Sequence, residues 1–132
     1  MTRKSLSNIE GKAANVCAIL MAEIARAVPD TLATSKVTDL DGLPHAAPQF
    51  SIAILKGNGS EQLANTAAAI KANQQDLVVL AFGAVGQSLN NQFELYREKI
   101  SSMTTGMTGL VGIAVAGEDA AVRQATRKFS LL

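Results

Sequence analysis

The chain has 132 residues, of which 48% are apolar, and its 12 Lys and Arg nearly cancel its 11 Asp and Glu. That length and composition describe one globular domain, residues 1–132, with enough apolar residues for a core. The charge balance supplies no overall field for nucleic acid or an anionic membrane. A single cysteine, Cys17, excludes an internal disulfide, and no apolar run is long enough to span a bilayer. Four Phe, one Tyr and no Trp leave little for a base-stacking platform. The start is polar and shows no secretory pattern, so a cytoplasmic location is expected.

In chain order, helical spacing of Val16, Ile19, Leu20, Ile24 and Ala27 predicts a helix over 11–27, stopped by Pro29 and Asp30. Residues 31–49 are polar, and Asp41-Gly42 within them predicts a short hairpin. The apolar, branched run FSIAIL (50–55) reads as a strand. KGNGS (56–60) is a turn, and Leu63, Ala67 and Ile70 mark the next helix. DLVVLAF (76–82) is a second core strand, broken by Gly83 and Gly86. Leu89, Phe93, Tyr96, Ile100 and Met103 keep a helical register. LVGIAVAG (110–117) is a third strand, and residues 118–128 a closing helix with acids first and bases last.

Strand and helix thus alternate from residue 50 onward, which predicts βα units and a sheet covered on both faces. The fold expected is three-layer α/β/α, with a small, mostly parallel or mixed sheet of about four strands. A competing parse joins 60–85 into one helix and makes 93–116 a β-meander. That order, α-β-β-α-β-β-β-α, is the pattern of roadblock-type GTPase regulators, and it implies a scaffold for a small GTPase. The helical register of 89–103 opposes it.

Few residues suggest chemistry. Lys12 follows Gly11 where the first helix is expected to begin, and a cation there is mildly repelled by the helix dipole. An anion between the ammonium and the free N–H groups would reverse that repulsion. Gly11, Lys12, Ala13 and Asn15 are therefore the candidate ligand-binding set; the plain alternative is a solvated lysine after a helix-starting glycine. His45, the only histidine, is a candidate general acid or base, or else a surface or capping residue. Asp39 and Asp41 shape the Asp-Gly turn. In KGNGS the lysine precedes the glycines, so it is no phosphate-binding P-loop. Cys17 reads as a packed thiol. No metal-ligand spacing and no cofactor fingerprint is present.

GKAANVC, with Gly11, Lys12, Ala13, Ala14, Asn15 and Cys17, resembles the opening of the first helix in class-two peptidyl-tRNA hydrolases. The domain-of-unknown-function family two thousand is more similar still. Its Gly-x-x-x-Asn-x-x-Ala-x-Leu pattern meets Gly11, Asn15, Ala18 and Leu20; its Asp-Gly turn and following His meet Asp41, Gly42 and His45. Its Pro-x-x-x-Ile-x-Leu strand is approximated by Pro48, Ile52 and Ile54-Leu55, and the closing GIAVAGEDAAVRQATRKFSLL is similar to the end of both families. The resemblance implies a hydrophobic strand before the Gly-Lys helix. Here that stretch is short and polar, so the first strand is expected to be short or missing, and a homodimer is expected to cover the edge. The resemblance also implies catalysis by a Lys, an Asp and a Thr. Lys12 meets the first, whereas the segment aligned with the others, FGAVGQS (82–88), holds neither Asp nor Thr. The catalytic set is incomplete, with Lys12 and His45 as its candidates. The expected function is binding of a small anionic or phosphate-bearing ligand. Hydrolysis of peptidyl-tRNA or another ester through Lys12 is the alternative; nucleic acid enters only through this resemblance.

Overall fold

The computed structural model describes the backbone of residues 3–89 and 91–131, and side chains from Lys12 onward. Helix α1 runs over Arg3–Ala27. Its buried stripe is Val16, Leu20 and Ile24, four residues apart and therefore on one face. Burying three such side chains stabilises the fold by roughly 1.5–3 kcal/mol each. A 3-10 turn at Pro29–Thr31 ends the helix, where proline can neither donate to it nor fit its interior. Strands β1 (Val37–Thr38) and β2 (Pro44–His45) form an antiparallel hairpin. Gly42 at its tip has φ +86°, a conformation glycine adopts without steric cost.

Strand β3 is Leu55–Lys56, and helix α2 spans Ser60–Asn73. Its Ile70 is the most deeply buried apolar residue among those described, 2% exposed. Strand β4 (Val78–Gly83) leads directly into the short helix α3 (Ala84–Ser88), followed by α4 (Phe93–Ser101). Strand β5 (Leu110–Ala116), helix α5 (Asp119–Ala125) and strand β6 (Ser130–Leu131) complete the described fold. β4 and β5 pair antiparallel from Val78↔Ala116 to Gly83↔Leu110, with an irregularity at Phe82/Gly83. Both α1 and α2 pack on this ladder. Gly112 of β5 makes room for α1: a Cβ there would lie 2.6 Å from Val16 Cγ1 and 3.0 Å from Leu20 Cδ1.

Four expectations need correction. Helix α1 begins at Arg3 and not at Gly11, because RKSLSNIE contains no proline or glycine to stop a helix. The mostly parallel or mixed sheet of about four strands is replaced by three antiparallel two-stranded ladders, β1–β2, β3–β6 and β4–β5. The strand expected over 50–55 is paired only at Leu55, since a strand needs a partner as well as an apolar pattern. Finally, the helix expected over 89–103 is shorter, and Gly86 lies inside α3. The helical state of Phe93–Ser101 excludes the β-meander of the roadblock order. No helix among the described residues is long and apolar enough to cross a membrane.

Two glycines separate crowding from open space. A Cβ on Gly83 would run into the backbone carbonyl oxygen of Thr108, whereas one on Gly106 would meet nothing within 4 Å. Gly83→Ala should cost about 1–3 kcal/mol in urea unfolding, because backbone cannot rotate aside. Gly106→Ala should stay within about 0.5 kcal/mol of wild type. Equal losses in the two variants would contradict this packing.

Candidate functional site

Lys12, Asn15 and Ile19 are three and four residues apart, so they form one stripe along α1 beside the buried Val16–Leu20 stripe. The seating of α1 over Gly112 fixes where that stripe points. Phe82 is the cross-strand partner of Gly112, and paired residues share a face of the ladder. Phe82 therefore lies on the face that carries α1. Beyond it the chain leaves the ladder: the Ala84 N–H donates to the Gly109 carbonyl at 2.8 Å. This bond swings α3 beside the helix stripe. Gly86 is needed at this corner, because a Cβ there would collide with the Phe82 ring.

The result is a half-open cleft of about 480 Å³ lined by Lys12, Asn15, Ile19, Phe82, Ala84, Gly86, Gln87 and Ser88. It sits at the carboxyl end of β4, where the chain passes from strand into α3. Its polar groups are one ammonium, two amides and one hydroxyl. The Ser88 hydroxyl donates to the Val85 carbonyl at 3.0 Å, which leaves its oxygen lone pairs to accept. Among the described residues lining the cleft there is no carboxylate and no imidazole, and Lys12 is the one charged group of that described lining.

Of the residues singled out in the sequence, Lys12 and Asn15 line this cleft and Ala13 does not, while Gly11 lies outside the residues whose surroundings are described. Lys12 stands in the third turn of α1. The free N–H groups of the helix start are therefore not beside it, and the dipole argument for an anion there fails. What gathers polar groups around Lys12 is the β4–α3 corner instead. Gln87 and Ser88 were not identified as site residues from sequence. The only sequence feature pointing to them is their place after an apolar strand, in the segment aligned with the hydrolase motif.

His45 is outside the cleft lining. It lies on β2, and its Nε2 is 2.8 Å from Asp39 Oδ2. The other carboxylate oxygen, Oδ1, accepts from the N–H groups of Asp41 at 2.9 Å and Leu43 at 3.0 Å. One carboxylate thus closes the hairpin turn and holds the imidazole across it. The hydrogen bond from His45, followed by that from the Leu43 N–H, holds the Asp39 carboxyl below its ordinary range. A depressed carboxyl pKa contributes stability that is present above the unfolded value, about 3.9, and is lost as pH falls through the folded value. In carboxyl-detected NMR, Asp39 should titrate below the ordinary aspartate value. His45→Ala should raise the Asp39 midpoint toward that ordinary value. An unmoved Asp39 midpoint would mean that the imidazole does not hold it.

The family profile described as protein of unknown function (DUF2000) matches residues 6–132. No curated protein matches the chain. Among solved structures, a protein of unknown function from Agrobacterium tumefaciens is similar, with a TM-score of 0.77 and 16% identity. The match covers 92% of this chain and 87% of that one. At that identity the likeness shows the fold alone. With the family profile matched over almost its whole length, the chain belongs to the DUF2000 family of proteins of unknown function.

Proposed function

We propose that this chain is a binding domain of α/β/α build that takes a small anionic or phosphate-bearing ligand in the cleft between α1 and the β4–α3 corner. The observation that carries the reading is the meeting of Lys12 and Asn15 with Gln87 and Ser88 in one cleft, without a carboxylate among the described lining residues. An ammonium and neutral hydrogen-bonding groups around an open space suit a carboxylate or phosphate oxygen. The small side chain of Ala84 keeps the wall low at the start of α3. The Phe82 ring and Ile19 supply an apolar wall for whatever carries the anion.

Binding without turnover is the better-supported reading. Hydrolysis of an ester or of peptidyl-tRNA needs a group that accepts a proton from water or from a nucleophile. The described lining residues offer none, and His45 is committed to Asp39 in the hairpin. Lys12 in this reading anchors charge and does not activate water.

The test uses inorganic phosphate at constant ionic strength. Wild type should show a rise in Tm that saturates with phosphate, as expected for a ligand bound to the folded state alone. Removing a charged hydrogen-bond donor should cost about 1.5–3 kcal/mol of binding, so Lys12→Ala should weaken the titration by at least about tenfold. Gln87→Ala should weaken it less, and both variants should keep the wild-type Tm without phosphate. No saturable shift in wild type, or an undiminished shift in Lys12→Ala, would overturn the assignment of the cleft. Release of peptide from peptidyl-tRNA by wild type, abolished in Lys12→Ala, would replace binding by catalysis.

A further inference from the structure

The cleft between α1 and the β4–α3 corner is larger than a bare oxyanion requires. Its volume of about 480 Å³ falls within the roughly 300–1,000 Å³ of pockets that hold small organic ligands. Its lining is also sorted along α1. Lys12, Asn15 and Ile19 follow one another on the stripe that faces it, and at 1.5 Å of rise per residue Lys12 and Ile19 stand about 10 Å apart along the axis. Phe82 belongs to the Ile19 end. It pairs with Gly112, and the space above Gly112 is filled by Val16 and Leu20, so α1 crosses Phe82 at the level of residues 16–20. Ile19 stays 40% exposed, although Val16 and Leu20 beside it are buried. The cleft thus runs from a cation and an amide at one end to an open aliphatic side chain and a ring at the other.

We propose, on the reading of this cleft as an anion site, that its ligand is amphiphilic: a phosphate or carboxylate carried on an apolar body. The head meets Lys12 and the body lies over Ile19 and Phe82. An inorganic anion leaves the apolar end of the cleft in water. A sugar-like body sets hydroxyl groups against Ile19 and the ring, where they lose water and gain no hydrogen-bond partner. An apolar body instead takes its own surface and that of Ile19 out of water together. Removing on the order of 60–100 Å² of apolar surface from water is worth roughly ten- to seventyfold in affinity.

Calorimetric titration of the full chain at constant ionic strength tests this, with inorganic phosphate, phenyl phosphate and glycerol phosphate as probes. Phenyl phosphate should bind at least about tenfold tighter than inorganic phosphate, and glycerol phosphate within about threefold of it. Ile19→Ser, at a position already open to solvent, should keep the circular dichroism of wild type. It should lower the ratio of phenyl phosphate to inorganic phosphate affinity to below about three. Because the ratio compares two ligands of one variant, a general loss of folded protein does not change it. Lys12→Ala should weaken phenyl phosphate by at least about tenfold. If phosphate binds through Lys12 but the phenyl and glycerol esters bind alike, the apolar body is refuted and the anion site stands. A phenyl advantage that survives Ile19→Ser refutes the placement of the body over Ile19. If none of the three probes binds, the anion site itself fails, and the amphiphilic ligand with it.

Discussion

Everything in this domain is referred to the antiparallel ladder of β4 with β5. It is the longest ladder among the described residues, and both long helices rest on it. Its register has a direct consequence: Phe82 stands opposite Gly112. Because Gly112 has no side chain, Val16 and Leu20 descend onto the strand at that point. A larger residue there would lift α1 from the ladder and move Lys12 away from the β4–α3 corner. The cleft is thus a product of one missing side chain and one cross-strand pair. Neither of them contributes a polar group to it.

The same ladder explains why the periphery is less buried than its sequence suggests. β4 and β5 have α1 and α2 against them, and the core residues Val16, Leu20, Ile70, Leu77 and Leu110 are gathered around them. Helix α4 has a regular apolar spacing, yet none of its residues is buried and Phe93 is two-thirds exposed. The Leu40 and Leu43 side chains at the hairpin tip are likewise exposed. Amphipathic spacing tells which side chains share a face; it does not tell whether another part of the chain reaches that face.

That distinction marks what was legible in the sequence. Helix α2, strands β4 and β5 and the Asp41-Gly42 hairpin follow from local pattern, since periodicity and turn chemistry are local properties. The start of α1 was not legible, because the helix-starting residue types Ser7 and Asn8 and the glycine at 11 all point to a beginning later than Arg3. The fate of 50–55 was not legible either. FSIAIL has the composition of a core strand, but becoming one depends on a partner outside the segment. Strand direction shared this difficulty. The stretch between β4 and β5 is long enough for a parallel crossover, and it was used for an antiparallel return through α3 and α4.

The candidate site was legible only in halves. Lys12 and Asn15 drew notice through their place near Gly11, and 82–88 through its place after a core strand. Nothing in spacing alone joins positions 15 and 87; the join is made by the contact of α1 with Gly112. The reason first offered for Lys12, a helix start, proved to be the wrong physics, because α1 begins two turns earlier. A cation in mid-helix needs no dipole to justify it, and its neighbours become decisive. Here those neighbours are amides and a hydroxyl, and no acid among the described lining neutralises the charge. An acid in that position would have made Lys12 a structural ion pair, as Arg26 is with Glu23, Arg97 with Glu94 and Arg123 with Asp119. Each of those three guanidinium groups meets its carboxylate within one turn of its own helix. The Lys12 side chain is set instead against a corner whose described residues supply only neutral donors and acceptors, and that is the geometry on which the proposed ligand rests.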